Sequence, residues 1–164
     1  MKKMAFAAIA LGLVACAPAQ QQRLVYPPTV EVERIQLTSF SLPAPGRAAV
    51  AGVRLELNVD NPNPLPVRLV QLAGVLVLDG QEAGTVTVPD IRLPGQGRAR
   101  QVAQLTLPVT FKTATTFLNI ARGQEVSYRL DGTLTADLGP LGQPTFGPFT
   151  LTQGVWKQAP LSVF

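Results

Sequence analysis

Strict two-residue alternation leaves this chain less freedom than any other feature of its sequence. Val53, Leu55, Leu57 and Val59 alternate with Arg54, Glu56 and Asn58. In an extended chain the four apolar side chains then share one face and the polar ones take the other. A helix would spread the same residues around its whole circumference. The period recurs on either side. Val30 and Val32, then Ile35 and Leu37, follow it with a slip near Glu33-Arg34, and Phe40 and Leu42 continue it. Leu69 to Leu78 is apolar nearly throughout and stops at Asp79-Gly80, a hairpin signal in which glycine supplies the positive φ of a tight turn. Thr85 to Val88 reads as the return strand, closed by Pro89.

Beyond the break at Gly95-Gln96-Gly97, the alternation puts Ala103, Leu105, Leu107, Val109 and Phe111 on one face. Pro108 within that run lacks an N–H, which places it at an edge or a bulge. From Thr113 to Ala121 the period changes. Phe117, Leu118 and Ile120 suit a short helix, with Thr113 as N-cap and Gly123 as its stop. Val126, Tyr128, Leu130 and Leu134 return to strand spacing, and a last strand runs from Phe146 through Phe149 and Leu151 towards Trp156. About seven short strands, turn signals every ten to fifteen residues and one short helix predict an all-β protein. The expected architecture is an antiparallel β-sandwich of immunoglobulin or fibronectin type III character. The paired cysteines of antibody domains are absent. With 164 residues, 46% hydrophobic and 15% charged, the chain has enough apolar material for one domain with a true core, and is no solvated disordered polymer.

The first residues follow other rules. Lys2 and Lys3 precede the apolar run Met4 to Val14, which is too short to cross a bilayer as a helix but suits a signal-peptide core. It ends in Leu13-Val14-Ala15-Cys16, which resembles the bacterial lipobox. In such signals the chain is cut before the cysteine and the thiol carries diacylglycerol. The expected division is a lipoprotein signal peptide over 1–15, lipidation at Cys16, a tether over 16–28 and the sandwich over 29–164. The plainer alternative is an ordinary secretory signal cut near Ala15 or Ala17. Lipidation would fix the protein to a membrane on the extracytoplasmic side of the cell envelope. Ala17 after the cysteine points to the outer membrane where there are two.

Charge and residue inventory narrow the chemistry. Loss of Lys2 and Lys3 with the signal leaves twelve basic residues against ten acidic ones, with no basic block, so a nucleic-acid partner is not expected. There is no histidine, and Cys16 is the sole cysteine, which removes imidazole chemistry, cysteine–histidine dyads and any internal disulfide. Ser39, Ser41, Ser127 and Ser162 stand in no nucleophile context; Glu31 and Glu33 share a strand face and read as a solvated one, while Asp131 and Asp137 flank a strand. No phosphate loop is present, since Gly95-Gln96-Gly97 leads into a strand. No catalytic residue, metal, cofactor or small-molecule substrate is expected. Tyr26, Trp156 and Phe164 form an apolar partner patch if they lie outside the core, although core packing is the plainer reading for Trp156.

The most distinctive segment is Asn61-Pro62-Asn63-Pro64 at the end of the alternating strand. The prolines remove backbone donors and hold the asparagines extended, while the asparagine amides can bond nearby backbone, so the segment predicts a rigid corner. Together with the strand into Asp79-Gly80, the Leu107-Pro108-Val109 strand end, the helix over 113–121 and the Tyr128-Arg129-Leu130-Asp131-Gly132 strand, it resembles the late embryogenesis abundant type 2 family. This module is also called the water stress and hypersensitive response domain. The resemblance covers roughly residues 30–157. It implies a folded sandwich without catalytic residues, serving protection under desiccation or related stress. Combined with the lipobox, it implies envelope proteins or the membrane itself as clients. A structural or adaptor lipoprotein holding one specific envelope partner is the alternative.

Overall fold

The alternating segment forms β2 (Val50–Asp60), with Val53, Leu55, Leu57 and Val59 all buried and Arg54 exposed on the opposite face. The computed structural model describes residues 25–42 and 44–162. Around β2 stand β1 (Thr29–Phe40), β3 (Val67–Leu78), β4 (Gln81–Leu93), β5 (Arg98–Pro108), β6 (Val126–Asp137) and β7 (Thr145–Trp156). Helix α1 (Ala114–Ala121) joins β5 to β6, and a single 3-10 turn (Gly139–Leu141) precedes β7. Among the described residues the strands form two antiparallel sheets, ordered β1-β2-β5 and β4-β3-β6-β7. Their inner faces enclose one core, including Leu37, Leu55, Leu57, Leu69, Leu72, Ile91 and Trp156. This is the seven-stranded sandwich with one short helix that the sequence predicts.

The chain passes between the sheets three times. It crosses from β2 to β3 through residues 61–66, from β4 to β5 through 94–97, and from β5 to β6 through α1. The first two crossings lie at one end of the sandwich, with residues 25–28 and 138–144; we call this the corner end. The third lies at the opposite, helical end, with residues 41–42, 44–49, Asp79-Gly80 and 157–162. Because the strands are 11 to 13 residues long, the two ends stand about 40 Å apart.

Several sequence expectations meet their physical limits in the fold. The slip near Glu33-Arg34 is a register shift between Val32 and Arg34 against β2. Asp79 and Gly80 have φ of 45° and 78°, the paired left-handed residues of a two-residue hairpin turn. Pro89 does not close its strand. It lies within β4 opposite Gln71, which is possible because β4 is an edge and the missing N–H leaves no ladder bond open. Phe111 departs from the face assigned to it: β5 ends at Pro108, and Phe111 is fully exposed. Leu42 likewise lies beyond the end of β1 and is exposed. Thr113 precedes the helix but does not cap it. Its hydroxyl accepts the Thr110 N–H at 3.0 Å, so it braces the turn that leads into the helix. The other end of α1 closes as a Schellman motif, with Gly123 N–H on Ile120 O and Gln124 N–H on Asn119 O, both at 2.9 Å.

Candidate functional site

The corner is built from two buried amides. Asn61 Nδ2 donates to Leu65 O at 2.8 Å and Pro94 O at 2.9 Å, while its Oδ1 accepts the Asn63 N–H at 3.0 Å and Asn63 Nδ2 at 2.8 Å. Asn63 faces the incoming chain. Its Oδ1 accepts the Tyr26 N–H at 2.8 Å, and its Nδ2 donates to Tyr26 O at 2.9 Å. One side chain thus grips both polar groups of a single peptide residue, as a neighbouring strand would. Backbone bonds complete the assembly: Asn61 N–H to Gly97 O and Gln96 N–H to Asn63 O, both at 2.8 Å. Pro62, Pro64 and Pro66 are exposed and bring no N–H that needs a partner. The approach at Gly95 is so close that a Cβ there would overlap the Pro64 carbonyl, so only glycine fits.

All four corner residues named from the sequence therefore sit together. The asparagines are buried and the prolines face solvent. What the sequence reading missed is the identity of their partners, Tyr26 and the 94–97 crossing. These lie more than thirty residues away, and no local pattern announces them.

Beside the corner, two contiguous open grooves of about 520 and 720 Å³ share Val25, Leu138 and Leu141. Tyr26, Leu65 and Leu141, each more than 60% exposed, stand on this end, with Phe149 at the rim of the second groove. Arg68 and Arg92 line the first, and Arg68 is paired with Asp90 at 2.6 Å. The grooves hold no serine, and the one carboxylate in their linings, Asp137, accepts the Gly139 N–H at 2.9 Å. Trp156 is in the core, 1% exposed, with its indole N–H on Gln158 Oε1 at 3.1 Å, so it belongs to no surface patch. Phe164, Cys16, the segment 1–15 and the first part of the tether lie outside the described residues.

On the outward face of the β1-β2-β5 sheet, one expected surface residue is buried. Glu56 is only 7% exposed, covered by the side chains of Arg54 and Arg100, both of which bond its carboxylate. Arg100 also reaches Glu33 at 3.0 Å, and Arg98 pairs with Asp60 at 2.7 Å. The hydrogen bond from Arg100, reinforced by Arg54, holds the Glu56 carboxyl below its usual range against the opposing effect of burial. On the other sheet, Thr150 and Arg129 likewise lower Asp131. These carboxylates are charge partners of neighbouring cations. Ser127, for its part, is engaged through its hydroxyl with Asp79 at 2.9 Å. Among the described residues no group of three or more His, Cys, Asp or Glu residues could hold a metal ion. Among them, too, no helix is long and apolar enough to cross a membrane.

No curated protein matches the chain. Among solved structures, it is similar to a protein assigned as late embryogenesis abundant (LEA), with a TM-score of 0.54 and 21% identity, covering 89% of this chain and 79% of that one. At that identity the likeness bears on fold alone. A protein from Arabidopsis thaliana (TM-score 0.49, 18% identity, 83% and 88% covered) and one from Archaeoglobus fulgidus (0.43, 14%, 80% and 100%) lie further off. The late embryogenesis abundant protein family, type 2 (LEA_2), matches residues 56–152, from the middle of β2 into β7. That span holds the corner, both later crossings and the helix, and membership suggests a stress-related, non-enzymatic protein. The chain belongs to the late embryogenesis abundant type 2 family.

Proposed function

We propose that this protein is a non-catalytic stress-protection module, held on a membrane outside the cytoplasm by a lipid on Cys16, that stabilises envelope proteins or the membrane as water is lost. The observation that carries the reading is family membership joined to the character of the outward strand faces. On these faces Arg54, Gln104 and Thr106 are exposed and Asn58 is half-buried, and Thr110, in the turn beyond β5, is exposed as well. Such faces offer many hydrogen-bond donors and acceptors to a drying surface, none of them shaped for one ligand. Support for the anchor is the sequence Leu13-Val14-Ala15-Cys16 after a short apolar run.

Two unrelated enzymes are dried with the protein, or with an inert protein of equal mass concentration, and their recovered activity is compared. General protection predicts better recovery of both enzymes, unchanged by Arg54→Ala or Thr106→Ala, because many positions each contribute a little. Equal recovery with the inert protein would remove the protective reading and leave the adaptor, whose binding would rest on a few anchors. Mass spectrometry of the processed protein is expected to find a diacylglyceryl group on Cys16, and Cys16→Ser to release the protein from the membrane.

A further inference from the structure

The corner end does more than carry the chain between sheets: it is where the chain arrives from Cys16, and it gathers Tyr26, Leu65 and Leu141 around the two grooves. The helical end exposes Leu42 and Phe111 as well, so the point of arrival, and not exposure alone, sets the corner end apart. Val25, the first described residue, lines both grooves, and Tyr26 is fastened to Asn63 through its N–H and its C=O. The chain coming from Cys16 therefore meets the domain at a fixed point, Tyr26. Nine residues separate Cys16 from that point. Fully extended, they reach roughly 30 Å. The helical end, about 40 Å further along the strands, cannot be the part held nearest a membrane unless the domain folds back over its own anchor.

We propose that the corner end seats on the lipid surface, with Tyr26, Leu65 and Leu141 entering the headgroup region. The inference rests on the lipid anchor at Cys16 proposed above. The chemistry of the end suits that occupant. Tyrosine with an apolar body and a polar tip favours the bilayer interface. Leu65 and Leu141 stand more than two-thirds exposed on short, proline-flanked turns (Pro64 and Pro66 around one, Pro140 before the other). Arg92, on the wall of the first groove, has a long apolar stem that lets its guanidinium reach lipid phosphate while the stem stays against the groove. Three shallow apolar insertions bind weakly by themselves. The anchor supplies the rest, because a tether of nine residues keeps the face at high local concentration over the bilayer. Seating would fix the sandwich upright, with the polar strand faces turned sideways to neighbouring envelope proteins.

The test uses the full chain, processed in a bacterial host, purified in detergent and reconstituted into phosphatidylethanolamine–phosphatidylglycerol vesicles. Leu65→Cys, Leu141→Cys and, at the helical end, Phe111→Cys are labelled in turn with a polarity-sensitive fluorophore. All three positions are exposed, so the fold survives the change, and Trp156 fluorescence verifies that it has. Lipids carrying a nitroxide high on the acyl chain are then added, and Cys16 is read by mass spectrometry in the same samples. The expected result is quenching at positions 65 and 141 at least about fivefold stronger than at 111. Lipidated protein with equal, weak quenching at all three positions would overturn the seating and leave the anchor intact. Absence of lipid on Cys16 would overturn the anchor, and the seating with it. Shielding of positions 65 and 141 in whole envelopes but not in pure lipid vesicles would overturn the seating too, and assign the face to a protein partner.

Discussion

The two ends of this sandwich do the same job by different physics. At each, the chain must pass from one sheet to the other and the open core must be closed. The corner end does this with hydrogen bonds: the amides of Asn61 and Asn63 tie two crossings and the incoming chain together, and both are buried without an unsatisfied side-chain atom. The helical end does it with apolar bulk. Phe117, Ile120 and Ala121 of α1 are buried, the Phe117 ring lies 6.4 Å from the Phe40 ring, and all three join the one apolar core. Polar closure is directional and fixes the path of each strand end to within a bond length. Apolar closure is tolerant of shape but worth more per residue. The end that holds the incoming chain at Tyr26 uses the directional kind.

The largest effect is expected at the helical end. Phe117→Ala removes a fully buried ring and leaves a cavity that the surrounding strands cannot fill, costing about 3–5 kcal/mol. Chemical denaturation is expected to show that loss with the strands otherwise intact, and an effect under about 1 kcal/mol would mean that the helix can collapse onto the core.

At the corner, Asn61→Ala is the matching break. It strips partners from the buried Asn63 N–H and Asn63 amide and from the carbonyls of Leu65 and Pro94, whose bonds to Asn61 are part-buried. Each orphaned group costs about 1–3 kcal/mol, and partial rescue by water brings the expected total to about 2–4 kcal/mol. The distinguishing readout is local. Amide exchange at Tyr26, Asn63 and Gln96 is expected to accelerate well beyond the change in global stability, whereas Phe117→Ala leaves their relative protection unchanged. Uniform acceleration across the molecule would erase the distinction between the two ends.

The contrast also explains which parts could be read in advance. Period-two spacing is a local property, so β2, the hairpin at Asp79-Gly80 and the slip in β1 were all visible in single segments. The helical end was visible for the same reason, because Phe117, Leu118 and Ile120 lie within one turn and a half. Two features ran past what periodicity can tell. Phe111 keeps the alternation of β5 on paper, yet Pro108 ends the ladder and the turn braced by Thr113 swings the side chain into solvent. Glu56 occupies a polar position in the alternation, but two arginine side chains on its own and the adjacent strand close over it. The corner stood between these cases. Its stiffness was written in Asn61-Pro62-Asn63-Pro64, but its grip on Tyr26 depends on a contact across 37 residues, which only the fold brings about.

A pH series probes a third kind of interaction, away from either end. Glu56, Asp90, Glu125 and Asp131 are all held below their usual range by hydrogen-bonded cations or, first of all for Asp131, by Thr150. A carboxyl depressed in the folded state favours folding wherever the unfolded chain is already ionised, and that contribution disappears as pH falls through the folded value. Stability is therefore expected to hold from neutral pH down to the ordinary carboxylate values near 4.5 and 3.8 and to decline below them. Glu56→Gln should flatten the decline more than Glu125→Gln, since Glu56 is covered by two arginines and Glu125 stands exposed beside Lys157. Exchange at Tyr26 should follow the global decline with pH, because the corner amides do not titrate. Selective opening of the corner in acid would contradict that.

The smallest effect concerns the prolines, and it separates the corner's stiffness from its bonding. Pro62 and Pro64 are exposed and make no hydrogen bond of their own as donors; their contribution lies in the unfolded chain, which they restrict before folding begins. Replacement of either by alanine is expected to cost about 0.4–1 kcal/mol, from greater freedom of the unfolded state, with the Asn61 and Asn63 bonds retained. The returned N–H groups at 62 and 64 face solvent and should find water. Two measurements then read the same variant differently. The melting temperature falls slightly, while exchange at Tyr26 relative to the core stays as it was, because Asn63 still grips both polar groups of that residue. If Pro62→Ala loosened Tyr26 as strongly as Asn61→Ala does, the prolines would be holding the amides in place, and the corner would owe its directionality to a stiff backbone more than to its buried bonds.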